Sequence, residues 1–168
     1  MWGLRMKLRY SRIVKMAMVA AIYAALTMGL APISYGPIQV RIADALLPLP
    51  YLEFFGLSSA IGLSLGCALA NMLSPYAIYD IAIGSIANLF AGTVAWFIGK
   101  IYRRSLYGVI LASLAQTAIV TFMVGYLLLH LLFNVELSIA ILGVFSGSII
   151  SISILGTMLV MFLMRRVA

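Results

Sequence analysis

The stretch IVKMAMVAAIYAALTMGLAPISYGPIQVRIADALLPLPY, residues 13–51, contains both the feature that decides the fold and the feature that asks for a function. Its first part, 13–33, is an unbroken apolar run with only Lys15 near its start. A run of about 20 apolar residues is long enough to cross a bilayer as a helix. The run is too long for the apolar core of a signal peptide, so it reads as an uncleaved first span behind a basic flank. Then comes the break SYGP, followed by Gln39, Arg41 and Asp44, and then by Pro48 and Pro50. Polar and ionised groups are costly in hydrocarbon and normally face a cavity or one another. Something should compensate for them.

Outward from this stretch the chain stays apolar. Of its 168 residues 65 % are hydrophobic and only 9 % are charged, against roughly 25 % charged in a soluble domain. The expected fold is an all-α integral membrane bundle of six transmembrane helices. The spans fall at about 13–33, 37–52, 55–73, 75–99, 105–132 and 137–164. The second is short and carries Pro48 and Pro50 at its end. Ser74 and Pro75 suit the N-cap and first turn of the fourth. The domain plan is a basic cytoplasmic segment, 1–12, and a single transmembrane domain, 13–168.

The charges orient this plan. Arg5, Lys7, Arg9, Arg12 and Lys15 precede the first span, Lys100, Arg103 and Arg104 follow the fourth, and Arg165 and Arg166 follow the sixth. With six spans and both termini cytoplasmic, all of these lie inside, as the positive-inside bias requires. The net charge of +7 therefore reports orientation and lipid-headgroup contact, and no nucleic-acid partner is expected. The remaining basic residue is Arg41.

At the outer ends of the spans the same plan gathers Tyr35, Gln39, Arg41, Asp44, Asn71, Tyr76, Tyr79 and Asp80. Arg41 and Asp44 are three residues apart and within pairing reach on a helix. Asp80, Gly84 and Asn88 repeat every four residues, so the glycine leaves room beside two polar groups. Asp80 lies about one turn in from Pro75, roughly 7 Å deep at 1.5 Å per residue. One reading is a structural ion pair and a helix cap. The other is a small polar pocket open to the outside, whose carboxylates and amides suit a ligand rich in N–H donors, such as a purine-like base. Glu53, His130 and Glu136 read as interfacial. Cys67 reads as a structural buried thiol.

Small residues form stripes. Ala17, Ala21 and Ala25 repeat on the first span, Ser58, Gly62, Gly66 and Ala70 on the third, and Gly143 and Gly147 on the sixth. Such spacing lets helix backbones approach closely. The stripes serve either packing within the bundle or, on the first span, docking of a partner. Signatures of other chemistry do not occur. There is no P-loop, no zinc-binding H-E-x-x-H pair and no nucleophile elbow around Ser146. No cofactor, metal or catalytic residue is expected. Six spans without an internal repeat are few for a free-standing secondary transporter, and suit a binding bundle energised by other subunits.

Three stretches, APISYGPIQVRIAD (31–44), GLSLGCALANMLSP (62–75) and YAIYDIAIGS (76–85), resemble the queuosine-precursor transporter family. Its members are substrate-binding S-components of energy-coupling-factor transporters. The resemblance covers about residues 14–92 and carries over Tyr35, Gly36, Gln39, Arg41, Asn71 and Asp80. Asp44 departs from an expected Glu, and LLPLPYLEF carries prolines where the family is more plainly helical. The resemblance implies a six-helix S-component in a prokaryotic plasma membrane and a 7-deazaguanine ligand, in the 7-aminomethyl or 7-cyano form. Ala17, Ala21 and Ala25 would dock on a transmembrane coupling subunit, and two ATPase subunits would supply energy. The binding set would be Tyr35, Gln39, Arg41, Asp44, Asn71, Asp80 and Asn88. Alternatives are an S-component for another vitamin-like ligand, and a non-transport membrane scaffold whose polar pairs are structural.

Overall fold

The computed structural model describes residues 2–34, 40–74 and 77–166, with side chains from residue 11 onward and Ala77 excepted. Tyr35, Gln39, Pro75 and Tyr76 lie outside the described residues. Helix α1 runs Trp2–Gly29 and is followed by a single turn, α2, Ala31–Ser34. Helix α3 is Gly56–Asn71. One turn, α4, Ala77–Tyr79, leads through a wide π turn, Asp80–Gly84, into α5, Ser85–Ile101. Helix α6, Leu106–Val120, continues in π geometry over Thr121–Leu132. Helix α7, Leu137–Ser148, passes through a π stretch, Ile149–Gly156, into α8, Thr157–Arg166. Among the described residues every regular element is helical.

Among the described residues four continuous helical stretches are long and apolar enough to cross a membrane: Ser11–Gly29, Asp80–Ile101, Leu106–Leu132 and Leu137–Arg166. Helix α3 is apolar but shorter. Large apolar side chains such as Phe97, Phe122, Leu142 and Met158 point outward around the bundle. An apolar surface of that extent is compatible with lipid and not with water. This is a membrane protein.

The second span departs from expectation. Between 40 and 55 there is no continuous helix, only two short 3-10 turns, Ile42–Leu46 and Leu49–Tyr51. Pro48 and Pro50 are the physical reason, since each lacks the N–H that a continuing helix would need. The segment is nonetheless core: Ala43, Asp44, Leu47 and Leu49 are all buried. Its first turn packs against α1 and the Ile149–Gly156 stretch, and its second against α5 and α3. Irregular backbone at membrane depth survives only where protein satisfies its polar groups. Here Gln116 of α6 does so, its amide donating to Leu47 O at 2.7 Å and to Ala91 O at 3.1 Å. Tyr51 anchors the other end, its hydroxyl lying against the carbonyls of Tyr102 and, at 3.0 Å, Ser105.

The α3 stripe is a packing face. A Cβ on Gly62 would stand 2.5 Å from Met16 O, and one on Gly66 2.6 Å from Ala20 O. The two backbones are in contact there, which only glycine permits. The α1 stripe behaves oppositely. Ala17, Ala21 and Ala25 are exposed, while Val19, Ala20, Tyr23, Ala24 and Thr27 face α3 and the core. The basic residues gather at one end: Lys15 donates to Phe54 O at 2.7 Å, and Phe54 borders the same cavity as Lys100, Arg103 and Arg104.

Candidate ligand site

The polar residues of the other end are brought together by three elements. The chain enters extended at Arg41 (φ −87°, ψ 93°) and turns at once into the first 3-10 turn, closed by Asp44 N–H to Arg41 O at 2.9 Å. With three residues per turn, positions i and i+3 eclipse. This brings Arg41 and Asp44 closer to one face than the α-helix assumed from sequence. The Arg41 guanidinium lies within electrostatic reach of Asp44. Asp44 is buried and also accepts a 2.5 Å hydrogen bond from the Tyr23 hydroxyl of α1.

Arg41 Nη1 reaches Cys67 Sγ of α3 at 3.7 Å. One helical turn further along α3, the buried Asn71 amide donates to the same sulfur at 3.4 Å and to Asp80 O at 2.7 Å. Asp80 is buried in turn, and its carboxylate accepts the Ser74 hydroxyl. Ser74 thus serves Asp80; Pro75, the first-turn residue it was expected to precede as N-cap, lies outside the described residues. Gly84 leaves the room anticipated for it, and the occupants are identifiable: a Cβ there would stand 2.7 Å from Asn71 Nδ2 and 3.2 Å from Cys67 Sγ. The π turn Asp80–Gly84 adds one residue to this stretch of helix. Single π turns recur at functional sites.

Arg41, Asp44, Asn71 and Asp80 therefore form one chain of polar contacts. Asn88 is buried too, but its amide meets Leu63 O at 3.5 Å, about one turn further along α3 from Cys67. It packs α5 onto α3 at the edge of the cluster. Tyr79, expected to line the pocket, points outward and meets Phe133 edge-on at 6.0 Å between ring centroids. His130 closes its own loop through Nδ1 and Val135 O at 2.9 Å.

Sequence reasoning missed Tyr23 and Ser74, and assigned Cys67 only a passive place. The signal for Tyr23 was available, because a tyrosine buried mid-span needs a polar partner for its hydroxyl. Chemically, the cluster presents two carboxylates, an amide, a thiol and one cation in a low-dielectric setting. Among the described residues Asn71 Oδ1 is buried with no hydrogen-bond partner. An orphaned buried acceptor costs about 1–3 kcal/mol. It is the group in the cluster most ready to accept a ligand N–H.

A family model described as the QueT transporter matches residues 13–165, nearly all of this bundle. The chain belongs to the QueT transporter family. This is a family of transporters and not of enzymes. A protein of Lactococcus lactis subsp. cremoris (strain MG1363), named queuosine precursor transporter QueT, is 40 % identical over 79 residues. The match covers 46 % of this chain and 44 % of that relative, so the chain aligns with less than half the relative's length. No solved structure matches.

Proposed function

We propose that this QueT-family chain is the substrate-binding subunit of an energy-coupling-factor uptake transporter in a prokaryotic plasma membrane. It captures a queuosine precursor, a 7-aminomethyl- or 7-cyano-7-deazaguanine, from outside. The observation that carries the reading is the contact chain of half-buried Arg41 with buried Asp44, Cys67, Asn71 and Asp80, in which Asn71 Oδ1 has no hydrogen-bond partner among the described residues. A deazaguanine edge offers N–H donors to Asn71 Oδ1 and to carboxylates, and an aminomethyl cation suits Asp44 or Asp80. Tyr35 and Gln39 belong to the same site in this reading. The 3-10 segment counts as the second of six passes, and both termini lie on the basic, cytoplasmic side.

The chain carries no nucleotide-binding motif, so the energy comes from partners: a transmembrane coupling subunit and two ATPase subunits. The outward face of Ala17, Ala21 and Ala25 supports docking to the coupling subunit.

The test is calorimetry and thermal unfolding of the purified chain in detergent with both deazaguanines, using guanine, riboflavin and thiamine as controls. Stabilisation should grow with ligand concentration above the dissociation constant. Saturable one-to-one deazaguanine binding, lost in Asp80→Ala, is expected. A control vitamin binding alone would give the architecture another ligand. No binding by a folded protein would make the cluster structural, a reading that the closed Tyr23–Asp44 and Ser74–Asp80 bonds would then explain.

A further inference from the structure

At the basic end of the bundle, remote from the polar cluster, lies a cavity of about 350 Å³. Asp80 and Lys100 are 20 residues apart along one helical stretch, so the two sites are separated by about 30 Å at 1.5 Å per residue. The cavity is bounded by Glu53 and Phe54 after the second 3-10 turn, by Trp96 and Lys100 of α5, and by Arg103 and Arg104 of the following turn. We propose that this cavity binds a phosphate-bearing anion, either the headgroup of an anionic phospholipid or a soluble phosphate.

Charge carries the first part of the argument. Three cationic side chains line the cavity against the single carboxylate of Glu53. Positive-inside bias alone explains basic residues at this end of the bundle. It does not explain a concave site of this size walled by apolar groups. The volume lies within the range of small-molecule sites, about 300–1,000 Å³. Arginine guanidinium presents paired donors that match phosphate oxygens, and basic pockets between helices are suited to anionic headgroups. The indole and phenyl walls suit the carbon part of a lipid.

Placement carries the second part. The turn bearing Arg103 and Arg104 is pinned by Tyr51, whose hydroxyl meets Tyr102 O and Ser105 O and accepts the Ser105 N–H at 3.2 Å. Arg104 holds a left-handed backbone, φ 52°, a conformation that persists only where surroundings over-determine it. The Lys100 ammonium sits 3.8 Å from the Trp96 ring centroid. The Lys15 ammonium lies 3.7 Å from the Phe54 ring, adding a cation behind that wall. The two ammonium groups are thus held against aromatic rings, and the backbone turn that bears both arginines is fixed.

The full chain is placed in nanodiscs of phosphatidylcholine with and without phosphatidylglycerol, and lipid retention is read by native mass spectrometry. In parallel, the chain in detergent is titrated with inorganic phosphate and its thermal unfolding followed. Retention of one phosphatidylglycerol, reduced about twenty-five-fold by Arg103→Gln with Arg104→Gln, is expected if each basic group near an anion is worth about fivefold. Arg165→Gln with Arg166→Gln, outside the cavity lining, should leave retention unchanged. Glu53→Gln should raise it, a gain that misfolding cannot imitate. Saturable stabilisation by phosphate without lipid retention identifies a soluble source. Equal loss in both arginine pairs, or neither lipid retention nor phosphate stabilisation, overturns the proposal.

Discussion

Gly84→Ala isolates the role of Asn71 in the proposed site. The added methyl would stand 2.7 Å from Asn71 Nδ2 and 3.2 Å from Cys67 Sγ. Carbon contacts are comfortable at about 3.5–4.0 Å, so the amide must retreat by close to 1 Å. Its hydrogen bond to Asp80 O, now 2.7 Å, then stretches past the distance at which it counts as one. The cost is the bond, about 1 kcal/mol, plus part of the 1–3 kcal/mol for a buried donor left unpaired. Alanine is favoured over glycine in a helix interior by up to about 1 kcal/mol. The fold should therefore lose only about 1 kcal/mol and remain assembled. Binding should lose more, because Asn71 Oδ1 moves with the amide. One displaced hydrogen bond of about 1.4 kcal/mol is a tenfold weaker Kd. The assay is calorimetric titration of 7-aminomethyl-7-deazaguanine against wild type, Gly84→Ala, Asn71→Ala and the double variant. With no amide to displace, Gly84→Ala should add nothing in the Asn71→Ala background, a cycle that reads the pair directly. Wild-type affinity in Gly84→Ala, or an undiminished loss in the Asn71→Ala background, would refute the reasoning.

Gln116→Leu removes the donor to Leu47 O and Ala91 O; Ala91 O keeps its partner within α5, so one buried carbonyl, Leu47 O, is left bare at a cost of about 1–3 kcal/mol, and an unchanged denaturation midpoint would show that the 3-10 segment does not depend on this amide. Tyr23→Phe deletes only the hydroxyl that donates to Asp44, and should lower stability by about 1–3 kcal/mol; thermal unfolding equal to wild type would mean that Asp44 is satisfied without it. Ala21→Leu enlarges an exposed position on α1, where substitutions stay within about 0.5 kcal/mol. Stability and ligand binding of the isolated chain should be kept while uptake by cells with the energising subunits is lost, and full uptake would remove this face from the docking surface.

The extent to which the fold was legible depended on where each polar backbone group finds its partner. Over 106–132 and 137–164 the helical backbone supplies its own partners, and the apolar runs predicted the observed stretches Leu106–Leu132 and Leu137–Arg166 closely. Over 37–52 the partners are remote. The two prolines announced a break, but the amide that makes the break tolerable sits at Gln116. The space for Pro48 comes from Gly156, where a Cβ would stand 2.8 Å from the proline ring. Neither link leaves a trace within the segment itself. A short helix was therefore the natural expectation, and a pair of 3-10 turns the outcome.

The candidate site divides in the same way, and α1 shows why. Asn71, Ser74 and Asp80 lie within ten residues of chain, so the turn alone brings them together. Tyr23 joins only when the orientation of α1 is known, and α1 carries two small-residue faces, one with Ala20 and Ala24, the other with Ala17, Ala21 and Ala25. Periodicity cannot rank two faces of equal spacing. What ranks them is α3: Gly66 admits Ala20 O and Tyr23 Cβ, the latter 2.9 Å from where its own Cβ would be. The inward face thus carries Tyr23 to Asp44, and the outward face is left for whatever meets the bundle from outside. The two functions proposed for this chain consequently share one helix. Tyr23 is two residues from both Ala21 and Ala25, so a partner that shifts α1 on docking also shifts the hydroxyl bonded to Asp44. Coupling between docking and release of ligand then needs no relay longer than about two residues of α1, less than one turn of helix.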